Sequence, residues 1–169
     1  MRSRTGALVV FLLVSALAAL ADQYTKRLAL QYLSPDGPTE VLPFMNLVIA
    51  FNRGAAFGFL NEESGWQLFL FISIALVVLV YLVVHIWQEA YRSVLSVLAY
   101  AFIAGGAVGN LIDRVNMGYV VDFVDLHIAG WHFWVFNLAD CALSIGVALL
   151  LLSVLIEIKQ RRAQDSVKE

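Results

Sequence analysis

Four long apolar runs, parted by two long and one short polar interruption, set the pattern of this chain. The first occupies about residues 7–30: GALVVFLLVSALAALA follows Arg2 and Arg4, and a helical pattern continues past Asp22 towards Ser34-Pro35-Asp36-Gly37-Pro38. The second, about residues 67–86, is bracketed by Trp66 and Trp87. A helix of that length crosses the ~30 Å apolar slab of a bilayer, and indole rings favour its two interfaces. A short polar link, Gln88 to Arg92, leads to a third run at about residues 93–112, and a fourth covers about residues 136–156 before a polar tail, Lys159 to Glu169. The first run has a rival reading. A basic start, an apolar core and small-residue triplets such as Ala19-Leu20-Ala21 also describe a secretory signal peptide. The rest of the chain is itself multi-span and needs no cleaved leader, which favours a retained span.

The predicted architecture is therefore an all-α four-helix transmembrane bundle, one domain over residues 1–169. Two long loops, about residues 31–66 and 113–135, join the spans on one side. The first contains VLPFMNLVIAFNRGAAFGF, Val41 to Phe59, whose β-branched and aromatic residues with glycine breaks predict short strands. Asn61 to Trp66 then reads as a turn into the second span, and residues 119–136 add a hairpin turning at Ala129-Gly130. A small β-rich extracytoplasmic element, apolar enough to lie on the membrane, completes the expected fold.

Composition sharpens this picture. Of 169 residues 61% are hydrophobic and 14% charged, more apolar side chain than a soluble domain of this length can hide. The net charge of -2 matters less than where the charges fall. Of the eleven Lys and Arg residues, seven (Arg2, Arg4, Arg92, Lys159, Arg161, Arg162, Lys168) lie on the side of the termini, and four (Lys26, Arg27, Arg53, Arg114) on the other. The positive-inside rule makes both termini cytoplasmic and both long loops external. The single cysteine, Cys141, allows neither an intrachain disulfide nor a cysteine-based metal site, and plain packing is expected of it.

The candidate chemistry gathers between Gly105 and Asp140, a stretch with aspartates at 113, 122, 125 and 140. Asp140 lies inside the start of a run long enough to span, where a carboxylate is costly and reads as functional. Asn137 is better placed to cap the fourth helix, which leaves Asp140 in its first turn. Asp122 is the candidate partner, although alone it could be a solvated residue. Two carboxylates in a partly dry site cannot both ionise easily, so one keeps a proton and the pair can act as base and acid on a peptide bond. This points to an aspartic peptidase built into a membrane.

Other constellations stay double-edged. Asp22 and Lys26 stand four apart, acid first, as an ion pair at a helix end with the lysine snorkelling to the interface, or as part of a site. Asn52 and Gly54 in Asn52-Arg53-Gly54-Ala55-Ala56-Phe57 suit either an ordinary turn or a clamp on an extended peptide. Gly105 and Gly109 have the spacing of a helix-packing device. Asn110, Asp113 and Arg114 share a helix face, as a structural network or as part of a site. A metal is not expected: Asp122, Asp125, His127 and His132 match no zinc spacing, and the Asp125/His127 alternation reads as the wet face of a strand. Gly-x-Ser-x-Gly is missing and His85 lies at the far end of the second span, which argues against serine chemistry.

Five blocks in order carry a family resemblance: Asp22-Gln23-Tyr24-Thr25-Lys26, Asn52 to Phe57, Gly105-Gly106 through Gly109-Asn110 to Asp113-Arg114, Val121-Asp122-Phe123, and Phe136-Asn137-Leu138-Ala139-Asp140. In these, over nearly its whole length, the chain resembles the bacterial lipoprotein signal peptidases (signal peptidase II). The resemblance implies an aspartic endopeptidase of the inner membrane, inhibited by globomycin. It would remove the signal peptide from a prolipoprotein by cutting just before its diacylglyceryl-modified cysteine. Asp122 and Asp140 would be catalytic. Asp22, Lys26, Asn52, Gly54, Asn110, Asp113, Arg114, Asn137 and Ala139 would shape the site and hold substrate. No cofactor and no nucleic acid are implied; prolipoproteins and membrane lipids are the expected partners of a monomer. The alternative is a small proton-coupled transporter using the same acids, but that would want them nearer mid-bilayer, along a polar path. A non-catalytic membrane adaptor would need no second aspartate.

Overall fold

The computed structural model of the chain describes residues 4–54, 65–89, 93–128 and 130–165. Four long helices, α1 (Arg4–Tyr32), α2 (Trp66–Glu89), α3 (Val94–Met117) and α4 (Leu138–Asp165), are each long and apolar enough to cross a membrane. Between them run four strands, β1 (Thr39–Leu42), β2 (Met45–Asn52), β3 (Val120–Ile128) and β4 (Trp131–Phe136), as one antiparallel sheet in sequence order. The four-helix bundle with a small sheet is thus the architecture that the apolar runs predict.

Helix α3 is the hub, lying against α4, α1 and α2. Its buried positions are mostly small, Ala99, Ala101, Ala104, Gly105, Gly106 and Gly109, so neighbouring backbones approach closely. A Cβ on Gly109 would stand 2.5 Å from Asp22 Oδ2 on α1 and 3.3 Å from Ala139 Cβ on α4. Ala7 and Phe11 of α1, Leu82 and Ile86 of α2 and Val97 and Ala101 of α3 form a buried cluster. The outward faces are apolar too, with Leu13, Leu17, Phe69, Val77, Leu151 and Leu155 exposed. Such a surface is stable only against lipid.

Boundaries shift where capping chemistry decides them. The loop expected from residue 113 begins later, because α3 carries on through Asp113 and Arg114 to Met117. It stops where Gly118 takes φ 78° and donates its N–H to the Arg114 carbonyl at 3.1 Å. The fourth helix starts at Leu138 rather than at about residue 136, since Phe136 still belongs to β4, and it runs on to Asp165 through helix-favouring residues of the tail. The hairpin of β3 and β4 turns at Gly130, with φ 81°. Ala129, the strand-like residues 55–59, the turn at 61–64 and the link residues 90–92 lie outside the described residues.

The sheet lies at the end of the bundle where α3 and α1 finish, with β3 against both and β2 against α1. Across β2 and β3, Ala50 faces Asp122 and Asn52 faces Val120. That register makes Asn52 a diagonal neighbour of Asp122. Only Asn137 separates β4 from α4.

Candidate active site

Asn137 converts the end of the sheet into the start of α4. Its Oδ1 accepts the Asp140 N–H at 3.0 Å, and the Asp140 Oδ2 accepts the Asn137 N–H at 3.2 Å. This is a reciprocal capping box, which locks the Asp140 side chain back over the first turn. The same Asn137 donates its Nδ2 to Asp122 Oδ1 at 2.6 Å, and also to the Asn110 Oδ1 and the Val121 carbonyl. One buried residue thus holds Asp140 by its backbone and Asp122 by its side chain.

The remaining carboxylate oxygens are held by amides as well. Asn52 Nδ2 donates to Asp122 Oδ2 at 3.0 Å, and Asn110 Nδ2 donates to Asp140 Oδ1 at 2.9 Å. All four oxygens of the pair are therefore oriented by neutral donors, which position a carboxyl group without cancelling its charge. Both carboxyl groups line one cavity of about 280 Å³, with Asn52, Asn110, Arg114, Val120, Trp134, Val135, Leu143 and Ser144. Burial pushes the Asp122 carboxyl up to about 6, the nearby Asp140 charge adds to the rise, and the bonds from Asn52 and Asn137 hold it back. This pair can carry one proton near neutral pH, the condition for acid and base roles in one site.

Behind the cavity lies a buried ionic layer. Lys26 Nζ donates to Asp22 Oδ2 at 2.8 Å, to Asp113 Oδ2 at 2.8 Å and to Asn110 Oδ1 at 2.9 Å, using all three of its donors. Lys26 does not snorkel: it is 2% exposed, because two buried acids reached from α1 and α3 hold it inside. Asp22 Oδ1 in turn accepts the Ala139 N–H at 2.8 Å, and Asp113 Oδ2 accepts the Val121 N–H at 3.1 Å. The layer thus pins the residues adjacent to Asp140 and Asp122. Asn110 joins the two tiers: with Lys26 and Asn137 on its oxygen, its nitrogen must point at Asp140.

The residues singled out by sequence consequently divide. Asp122, Asp140, Asn52, Asn110 and Arg114 line the cavity, and Asn137 binds the pair from the side. Asp22, Lys26, Asp113 and Ala139 are buried behind the wall, with their polar groups bonded to one another, to the backbone, or to the Asn110 and Gln23 side chains. Of the face shared by Asn110, Asp113 and Arg114, Asp113 turns inward to Lys26 while the other two reach the cavity. Asn52 gives Nδ2 to Asp122 and Oδ1 to the Gly54 N–H, and the Gly54 carbonyl accepts Arg114 Nη2 at 3.2 Å. Both ends of the Asn52 amide are thus engaged within the protein. Asp125 is not on a wet face: it is 5% exposed, since Asn46 and His132 bond its carboxylate.

Sequence reasoning gave no role to Gln23, whose Nε2 joins Asp113 Oδ1 at 2.6 Å and the Gly109 carbonyl at 3.1 Å. Its place one residue after Asp22 was the available signal. The lining residues Trp134, Val135, Leu143 and Ser144 carried none, because nothing local distinguishes an apolar wall from core. Among the described residues, no three His, Cys, Asp or Glu side chains converge to hold a metal.

The chain is similar to known proteins over most of its length. The family model described as signal peptidase (SPase) II matches residues 14–156. The chain is 43% identical over 142 residues to a lipoprotein signal peptidase of Coxiella burnetii (strain RSA 493 / Nine Mile phase I), covering 84% of this chain and 87% of that one. It is 41% identical over 160 residues to a lipoprotein signal peptidase of Acinetobacter baylyi, covering 95% and 89%. A bacterial membrane enzyme solved by the in meso method superposes with a TM-score of 0.79 at 34% identity, covering 89% of this chain and 90% of that one.

Proposed function

The chain belongs to the signal peptidase II family, and from that premise we propose that Asp122 and Asp140 are the catalytic pair with which it removes signal peptides from lipoprotein precursors. It is a membrane protease, acting on diacylglyceryl-modified prolipoproteins just before the lipidated cysteine. The observation that carries the pair is Asn137, which bonds Asp140 Oδ2 from its backbone and Asp122 Oδ1 from its side chain beside one cavity.

In the proposed reaction Asp122 holds the proton and Asp140 is the base. The Asp140 carboxylate takes a proton from water as the water oxygen attacks the scissile carbonyl carbon, and Asp122 gives its proton to the carbonyl oxygen. The tetrahedral gem-diol then collapses: Asp140 protonates the leaving amine, the C–N bond breaks, and a hydroxyl proton returns to Asp122. Neither a metal nor an organic cofactor enters these steps. Arg114, stacked over Phe71 and bound to the Gly54 carbonyl, offers its charge at the cavity wall. Asn52, Asn110 and Asn137 orient the acids, Gly54 keeps the β2 end close to Arg114, and Asp22, Lys26, Asp113 and Ala139 act through the residues they pin.

In this reading the protein lies in the bacterial inner membrane with both termini cytoplasmic, the sheet on the outer face and the chain monomeric among lipids. Asp22, Asp113, Asp122 and Asp140 gather toward the sheet end of the bundle, where a signal peptide entering from lipid presents its cleavage segment. A transporter would need them midway. The test is cleavage of a lipidated precursor by the purified protein. Asp122→Asn and Asp140→Asn are each expected to abolish it while insertion and precursor binding persist, since each removes one of two indispensable proton roles. Near-normal turnover by either variant would refute the pair.

A further inference from the structure

A second polar cluster stands on the sheet outside the cavity. The β3–β4 register sets His127 opposite His132, with ring centroids 5.1 Å apart and planes inclined by 32°. The Asp125 carboxylate, buried beside them, bonds His132 Nδ1 at 2.8 and 3.0 Å through its two oxygens. An ionised carboxylate only accepts, so Nδ1 carries the hydrogen and, in the neutral ring, Nε2 carries the lone pair. Across β2–β3, Asn46 faces Asp125 and donates Nδ2 to its Oδ2 at 3.3 Å. The reverse amide orientation would set two acceptors against each other, so the Asn46 oxygen is the outward group. Asn46 is 5% exposed, and its Oδ1 is a buried acceptor without a partner; His127 Nε2 is likewise buried and unpartnered. Unsatisfied polar atoms at such a depth are uncommon enough to require an explanation.

The Asn46 oxygen offers lone pairs, and so does His127 Nε2 when the ring hydrogen sits on Nδ1, which suits a cation and not an anion. Two imidazole nitrogens with an amide oxygen suit a borderline divalent ion of the zinc, nickel or copper type. We propose that His127 and His132 ligate one divalent transition-metal ion, with Asn46 Oδ1 and water completing its shell and Asp125 behind His132. The carboxylate stays on Nδ1 and orients the ring, the usual outer-shell arrangement at a histidine ligand. Among the described residues no three His, Cys, Asp or Glu side chains converge to hold a metal, so the proposed site rests on two imidazoles and an amide alone. The ion would tie β3, which carries Asp122, to β4, which leads into Asn137 and Asp140. It is separate from the proposed catalytic pair and does not depend on that reading.

The full chain, purified in detergent and stripped with EDTA, is titrated with zinc alone by calorimetry and by thermal shift. Saturable binding of one ion per chain and a rise in Tm are expected. His127→Gln and His132→Gln, which keep polarity and approximate size, should each weaken binding by about tenfold or more, and Asp125→Asn by about tenfold. His85→Gln, remote from the sheet, should bind as the unaltered chain does. Absence of saturable binding, affinity in the His127→Gln and His132→Gln variants equal to that of the unaltered chain, or an equal loss in His85→Gln would overturn the site. Cleavage that disappears on stripping and returns with zinc would overturn its separation from the reaction.

Discussion

At the scale of single residues, the site is governed by how asparagines share out two carboxyl groups. Burial beside Asp140 raises Asp122 to about 6, while the Asn52 bond favours the charged form and pulls it down. If Asp122 must hold the proton, activity falls as pH rises through that value and above, because the acid is then spent. The limb belongs to the pair, so its apparent position reports both acids. Asn52→Ala removes a donor to the carboxylate, so the alkaline limb should move upward, by about one pH unit. It also frees one oxygen of Asp122, for which a loss in kcat as large as ~100-fold is expected. A pH–rate profile of the variant on a lipidated precursor checks both. A downward shift, or an unchanged profile with normal kcat, would show that Asn52 does not act on Asp122.

At the scale of elements, the bundle holds the site by letting helices meet without side chains between them. Gly109 is the instance that meets an acid of the buried layer, where α3 lies against Asp22 of α1 and Ala139 of α4. Gly109→Ala must push Asp22 off the Ala139 N–H or part the helices, at a cost of about 1–3 kcal/mol. Because Ala139 precedes Asp140, cleavage should fall further than the loss in Tm alone explains. Gly118→Ala is the contrast: it meets nothing within 4 Å and is strained only by its φ of 78°. That change should lower Tm modestly and leave turnover close to normal. Paired measurements of Tm and kcat/KM decide, and equal losses in the two variants would reduce Gly109 to a general packing residue.

At the scale of the whole molecule, the question is which face of the membrane the sheet occupies. Arg4, Arg161 and Arg162 lie at the end of the bundle opposite the sheet, in the helices that carry the termini. By the positive-inside rule that end is expected in the cytoplasm. A reporter fused at the C-terminus should therefore read cytoplasmic, and one inserted after about residue 60 external. An external C-terminus would reverse the proposed approach of the substrate.

How much of this was legible in the chain depended on the range of the interaction concerned. The four helices and the hairpin at Gly130 were determined locally, by apolar runs of membrane length and by turn chemistry. Asp140 was legible because a carboxylate one turn into a spanning run is costly wherever the fold puts it. The cap at Asn137 was legible too, though not the bond that Asp140 returns to it. What tertiary structure alone decided was which residues face the cavity and which stand behind it. Lys26 reads equally well as a snorkelling helix-end cation until α3 brings Asp113 and Asn110 to it across 84 or more residues of sequence. Asp125 reads as wet until Asn46, 79 residues away, covers it. The walls at Trp134 and Leu143 left no local mark, since an apolar side chain obeys the same pattern whether it packs in a core or borders a cavity. Periodicity and the cost of burial act along a segment and can be read from it; hydrogen-bond partners are assigned only when distant segments meet.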